Sequence, residues 1–401
     1  MRYRGIILVT LFAMSLVSAQ SFTEFVRRLE TLSLVQRTAA VQKFFQSNRT
    51  TPIIEHDSLL HFVFFGKATW VGVNGNLQHW NAPDPMIKIE CGDSSFFYQT
   101  FTVPSNARLD YQLVVDEKYQ TDPRNPRITP SGFGPHSEVR MPKFVSSPYL
   151  IYRDSVPHGR IDSGGLNTHI LPPLRKYSLA GRKIKIYLPP GYDSLSHLPS
   201  IYIHDGFDAI DFALMPTMLD NLIAEKKIPP VIAIFIPPIN RTDEYVGNHR
   251  NQFVKLLCND FVPMIDKQYK TYRSPHKRAM IGISNGGHIA LYTVISRPDV
   301  FQNVGGQSST ITPWLRELTK QRADENTFSL SMKIYLDCGR YDIKQENSDR
   351  ENFDFLDLNR KYSDLLSSLR IPHYYREFND GHEWAGWRER MPEILIFFFG
   401  L

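Results

Sequence analysis

The segment Arg278-Ala279-Met280-Ile281-Gly282-Ile283-Ser284-Asn285-Gly286-Gly287 constrains the fold of this chain more than any other. An apolar run of strand length enters it. A helical run, His288-Ile289-Ala290-Leu291-Tyr292-Thr293-Val294-Ile295, leaves it. Gly-x-Ser-x-Gly between two such runs allows only a sharp turn. A serine held in a strained backbone conformation leaves no room for side chains at the flanking positions, which is why glycines stand there.

Strand and helix patterns alternate around this segment. Arg182–Leu188, Ser200–His204, Val231–Ile236 and Met332–Asp337 read as further strands, and Phe212–Lys226 and Asn251–Tyr269 as helices. Such alternation builds a mostly parallel sheet covered on both faces by helices. The expected unit runs from 176 to 401.

The N-terminal part has another texture. Leu60–Phe65, Ala68–Val73, Phe96–Val103 and Leu109–Val115 are short β-type runs separated by turn residues such as Asn74-Gly75-Asn76. With no helical pattern between them, they predict a small all-β sandwich over 52–142. Apolar residues at three-to-four spacing predict a helical lead-in over 20–51, and the Ser-, Pro- and Gly-rich stretch 143–175 reads as a linker. Residues 1–19 carry Arg2 and Arg4, an apolar core from Gly5 to Val17, and Val17-Ser18-Ala19 before Gln20. That is the pattern of a cleavable signal peptide, and it predicts a secreted or periplasmic protein.

A serine on such a turn acts as a nucleophile when a base and an orienter of that base converge on it. In strand-turn-helix sites of this kind the chain order is serine, acid, histidine. Asp342 follows the 332–337 strand and a glycine turn, and is the expected acid. Asp337 is its rival, placed by the pattern at the strand's own end. His382, in Asn379-Asp380-Gly381-His382-Glu383-Trp384 after the strand-like Tyr374–Phe378, is the expected base; His288 and His373 are the other histidines after Ser284. An oxyanion needs two N–H donors. Asn285, just after the nucleophile, supplies one, and the loop His204-Asp205-Gly206-Phe207 supplies the other from Gly206 or Phe207.

These residues carry a resemblance. The region from 176 to 400 resembles the putative-esterase family of α/β hydrolases, which includes enterochelin esterases, feruloyl and acetylxylan esterases and S-formylglutathione hydrolase. The enterochelin-esterase branch is the most similar. The strings that carry it are Tyr187-Leu188-Pro189-Pro190-Gly191-Tyr192, Leu219–Ala224 with Ile228-Pro229-Pro230-Val231, Asn240–Tyr245, Gly282–Gly287 and Gly381-His382-Glu383-Trp384 with Trp387-Arg388. The resemblance implies an α/β-hydrolase fold with Ser284, Asp342 and His382 as nucleophile, acid and base. It also offers Arg241 and Trp384 as substrate contacts, although a salt bridge from Arg241 to Glu244 fits the same string. Asp205 departs from the pattern, because many relatives have the histidine and glycine adjacent. Residues 52–142 resemble the early-set immunoglobulin-like domains that precede certain hydrolases. Trp70 and Trp80 there could stack on a sugar or pack in the core.

Charge and cysteine content narrow the field. Lys and Arg number 46 against 41 Asp and Glu, a net +5; without Arg2 and Arg4 it is 44 − 41 = +3. No basic block exceeds four residues, so no nucleic-acid partner is expected. Three widely spaced cysteines make neither a disulfide scaffold nor a metal-ligand pattern, so no metal or cofactor is expected. No later apolar window is long enough to span a bilayer, so no membrane insertion is expected after leader removal. The sequence leaves the oligomeric state open. The expectation is a secreted serine ester hydrolase acting through an acyl-enzyme on siderophore-type or polysaccharide feruloyl or acetyl esters. Its alternatives are an acyltransferase of the mycolyltransferase type, or a carbohydrate-binding protein with an inert hydrolase unit.

Overall fold

The computed structural model describes residues 21–162, 182–328, 331–345 and 353–401. The expected leader 1–19, and residues 163–181 across the expected linker and the start of the hydrolase unit, lie outside the described residues.

The N-terminal region forms two antiparallel sheets packed face to face. One has the order 53–55, 59–66, 94–102, 87–91. The other has the order 84–85, 71–75, 108–115, 136–140, 128–129, with 118–120 also paired to 108–115. Leu60, Phe62, Val71, Leu109 and Leu113 fill the space between them. The run Leu60-His61-Phe62-Val63-Phe64-Phe65 lacks polar alternation because both of its faces are covered. Val63, Ile89 and Phe96 point away from the sandwich core into a third layer made by helices Phe22–Thr31 and Leu34–Ser47. The helical lead-in is therefore a lid over one sheet. Ser21 starts it with a reciprocal cap to Glu24.

The large sheet has eight strands in the order 160–162, 185–188, 232–236, 200–204, 278–283, 303–307, 333–341, 374–381. The first two are antiparallel additions, and from 232–236 onward all neighbours are parallel. Alternate residues face two cores. Tyr202, Ile234, Met280 and Val304 lie on one side, and Ile201, Ala233, Phe235, Ala279 and Ile281 on the other. The fold is an α/β hydrolase preceded by an all-β sandwich.

Three local readings are corrected. Residues 160–162, expected in a linker, supply the edge strand of the large sheet. The helical pattern Phe212–Lys226 narrows to the helix Met215–Ala224, and a separate short helix, Gly206–Asp211, precedes it where none was expected. The strand Asn303–Gln307 was not anticipated, because in Asn-Val-Gly-Gly-Gln only Val304 carries the β-branched or aromatic texture of its neighbours. Its glycines are required by packing: a Cβ on Gly305 would lie 2.8 Å from Ile394 Cγ2, and one on Gly306 2.4 Å from Ser309 Oγ.

Candidate active site

Ser284 stands where the central strand 278–283 becomes the helix Asn285–Ser296, with φ 58° and ψ −123°. Residues bearing side chains seldom adopt this region, and it persists only where surroundings impose it. Here the Ser284 N–H donates to the Gln307 carbonyl (2.9 Å), and its own carbonyl accepts from the N–H groups of His288 and Thr310 (3.1 Å each). A Cβ on Gly282 would stand 1.9 Å from the Gly286 carbonyl oxygen, and one on Gly287 2.3 Å from Ser309 Oγ. The half-buried Ser284 precedes helix N–H groups at 285–287 that have no acceptor within the helix.

The chain leaves strand 333–341 at Asp342, whose carboxylate is fully buried and lies 2.6 Å from His382 Nδ1. The same oxygen, Oδ1, accepts the Ile343 N–H at 2.8 Å. The Ser308 hydroxyl hydrogen-bonds the carboxylate and accepts the Trp387 indole N–H at 3.0 Å. Burial pushes the Asp342 carboxyl up, but His382, Ser308 and the Ile343 N–H outweigh it and hold the group below the usual carboxylate range. A carboxylate only accepts, so Nδ1 carries a proton, and in the neutral ring Nε2 keeps its lone pair. The ring of His382 sits between Phe355 (centroids 4.5 Å apart) and Trp387 (4.7 Å, edge-on) and is 8 % exposed.

Asp337 has a different part. It does not end its strand, because pairing with 374–381 continues through an irregularity at Gly339 to Tyr341. Its buried carboxylate meets Gln307 Nε2 (3.1 Å) and Arg390 Nη1 (3.0 Å). Burial raises it to about 7 against the pull of Arg390. Asp337 thus props the strand whose Gln307 carbonyl holds Ser284.

Gly206 and Phe207 open the short helix after strand 200–204, beside the sheet's carboxyl end. A Cβ on Gly206 would come within 2.4 Å of the Ile236 nitrogen, so glycine lets this helix close on the neighbouring strand. The departure at Asp205 acquires a reason. Asp205 has φ 52°, and its buried carboxylate takes a two-pronged bond from Arg241, Nε to Oδ1 and Nη2 to Oδ2, both 2.8 Å. Arg241 also reaches the carbonyl of Ile283, next to Ser284 (3.3 Å). The expected Arg241–Glu244 bridge is therefore corrected, since Glu244 pairs with Arg182 (2.7 Å). Arg241 fastens the 205–207 loop to the serine turn, with its side chain 39 % exposed. Trp384, offered as a substrate contact, is 8 % exposed and packs against Phe212 and Trp387 in the core. His288 bonds the Thr310 carbonyl, and His373 bonds Ser363 and the Ile371 carbonyl. In the sandwich, Trp80 packs at a tilt against His136 (ring centroids 4.5 Å apart), while Trp70 is 36 % exposed.

The sequence reading missed Ser308, Gln307 and the role of Asp205. Only Asp205 left a trace, as an insertion between histidine and glycine. It also missed His79, whose Nδ1 lies 2.6 Å from the backbone carbonyl of Asp342 across 263 residues of chain.

Residues 180–398 match the family described as Putative esterase. The uncharacterized protein YjcH of Bacillus subtilis is 26% identical over 215 residues, 52% of this chain and 88% of that protein. An endo-1,4-beta-xylanase/feruloyl esterase of Xylanibacter ruminicola is 26% identical over 207 residues, 48% of this chain but 27% of that protein. The crystal structure of the enterobactin esterase FES from Shigella flexneri is similar with a TM-score of 0.67 and 17% identity, covering 89% of this chain and 97% of that one. At that identity the likeness is one of fold, and its coverage extends beyond the hydrolase sheet into the N-terminal region.

Proposed function

The chain belongs to the Putative esterase family and is a carboxylic ester hydrolase; we propose that it is a secreted serine esterase with Ser284 as nucleophile, His382 as base and Asp342 as its orienter. The observation that carries this reading is the 2.6 Å contact between Asp342 Oδ1 and His382 Nδ1, in a chain that also holds Ser284 on a strained turn. Ser284 Oγ attacks the ester carbonyl while His382 Nε2 takes its proton. The resulting imidazolium is stabilised by the Asp342 carboxylate. The tetrahedral oxyanion is met by the Asn285 N–H and by an N–H of Gly206 or Phe207. His382 then returns the proton to the leaving alcohol, and water, activated by the same nitrogen, releases the acid and regenerates Ser284.

The substrates we propose are siderophore-type or polysaccharide acyl esters. The first follows the fold shared with an enterobactin esterase, the second the sequence shared with an endo-1,4-beta-xylanase/feruloyl esterase. Secretion follows from residues 1–19, and a mature chain beginning at Gln20 in the extracytoplasmic fraction, read by mass spectrometry, checks it. The catalytic assignment is tested with feruloyl, acetyl-xylan and catechol-siderophore esters side by side. Ser284→Ala should lose at least ~10³-fold in rate with its fold retained. Turnover by Ser284→Ala equal to the parent's would end the assignment. Preferential transfer of the acyl group to a sugar over water would make the protein an acyltransferase.

A further inference from the structure

The loop between sandwich strands 71–75 and 84–85 crosses to the large sheet at the place where the acid and base emerge. Two consecutive bulky residues in it, His79 (φ 52°) and Trp80 (φ 59°), have left-handed backbone conformations, which is uncommon for such side chains. Local bonds impose them. The N–H of His79 donates to the Asn76 carbonyl (2.9 Å), that of Trp80 to the Gly75 carbonyl (3.0 Å), and Asn74 Nδ2 to the Asn81 carbonyl (2.9 Å). The effect is to aim three side chains at the hydrolase unit. His79 Nδ1 bonds the backbone carbonyl of Asp342 (2.6 Å), and Asn81 Nδ2 bonds that of Lys344 (2.7 Å). Asn76 Nδ2 lies where a Cβ on Gly381, the residue before His382, would come within 2.2 Å.

We propose that this loop is the positioning element of the acid–base pair, with His79 as its principal positioning residue. The inference rests on the reading of Asp342 and His382 given above. A carbonyl oxygen only accepts, so His79 presents Nδ1–H, and that bond fixes the backbone from which the Asp342 carboxylate projects. Asp342 lies one residue past Tyr341, the last ladder residue of its strand, so its backbone has left the sheet that would otherwise hold it. Asn81 grips the same turn two residues on. The close fit of Asn76 on Gly381 sets the approach of the His382 loop from the other side. A sandwich joined to the hydrolase unit far along the chain thereby becomes part of the machinery, because small misplacements of a catalytic group are costly in rate.

The test uses two variants of the full chain that both accept a positive φ, His79→Gly and His79→Asn. Asparagine offers an N–H close to the place of Nδ1, and glycine offers none. His79→Gly is expected to lower kcat by about 10- to 100-fold with KM changed less than about twofold, and His79→Asn to recover to within about threefold of the parent. The second readout is the proton resonance of His382 Nδ1–H. At a 2.6 Å contact with a carboxylate it should lie far downfield in the parent, broaden or move upfield in His79→Gly, and return in His79→Asn. Unchanged kcat and an unchanged resonance in His79→Gly would overturn the proposal. So would equal losses in both variants accompanied by lowered thermal stability, which mark a merely structural contact. Ser284→Ala separates the two readings: if parent turnover does not depend on Ser284, the catalytic assignment fails, and the resonance still decides whether His79 holds the pair.

Discussion

Replacing Asp342 by asparagine separates two duties of the proposed acid, orientation and charge. The outcome turns on the two oxygens having different neighbours. Oδ1 faces two donors, His382 Nδ1–H at 2.6 Å and the backbone N–H of Ile343 at 2.8 Å. The rest of the carboxylate faces the Ser308 hydroxyl and, at 3.5 Å from Oδ2, Cys338 Sγ, both of which can accept. An asparagine amide placed at the Oδ1 site would confront a fixed backbone N–H. The side chain should therefore turn its oxygen toward His382 and its NH2 toward Ser308. The Nδ1–H tautomer survives, and only the attraction between carboxylate and imidazolium is lost. At a separation of about 4 Å and an effective dielectric of ~20, that attraction is roughly 4 kcal/mol, or about 10³-fold in rate. The loss should fall short of the ~10⁴-fold that follows when an asparagine forces the wrong tautomer. Initial rates on p-nitrophenyl acetate for the parent, Asp342→Asn and Asp342→Ala supply the magnitudes, and ¹⁵N spectra of His382 report the tautomer. An Asp342→Asn variant as slow as Asp342→Ala, with the proton on Nε2, would refute the orientation reasoning.

Gly282→Ala should abolish turnover and lower stability by about 3 kcal/mol or more, because the new methyl would lie 1.9 Å from backbone. Gly132→Ala, with nothing within 4 Å, should change chemical denaturation by no more than about 0.5 kcal/mol. Arg241→Met leaves the buried Asp205 carboxylate without its partner; we expect a loss of about 2 kcal/mol, moderated by the arginine's partial exposure, together with a lower kcat as the 205–207 loop loosens. A double-mutant cycle with Asp205→Asn isolates the pair, and an Arg241→Met enzyme with parental kcat and stability would contradict its role as a clasp. His204 is buried, and desolvation, aided by Arg182 and Arg241, lowers it to about 3. The unfolded chain therefore takes up this proton first as pH falls below ~6.5, and stability is lost progressively toward pH 3, about 2 kcal/mol of it by pH 5. His204→Phe should flatten the stability profile over that range by a comparable amount, as measured by urea titration at pH 7 and pH 5. An unaltered slope would show that His204 does not carry it.

Local chemistry wrote much of this site into the chain. The elbow at 282–287 is legible because its steric demands are met by residues within six positions of one another. Asp342 and His382 could be ranked as acid and base because each follows a strand-like run and a glycine. The partner of Arg241 could not be read. The nearby Glu244 was the natural candidate, whereas the sheet brings Asp205, 36 residues earlier, to the guanidinium. The strand 303–307 was hidden because its composition answers to close packing against Ile394 and Ser309 and not to strand propensity. Asp337 appeared to close its strand because the apolar run stops there, although the ladder continues to Tyr341.

By itself, the sequence determined the alternation that makes a helix-covered parallel sheet, the all-β module ahead of it, and the strained serine between two glycine positions. All three are set by period and by turn sterics over a few residues. Tertiary structure alone decided the distance at which the Asp342 carboxylate meets the imidazole, which side chains clasp the 205–207 loop, and that a sandwich histidine bonds the Asp342 backbone 263 positions away. Those pairings depend on sheet register and on the docking of two separately built units, and neither leaves a periodic mark on the chain.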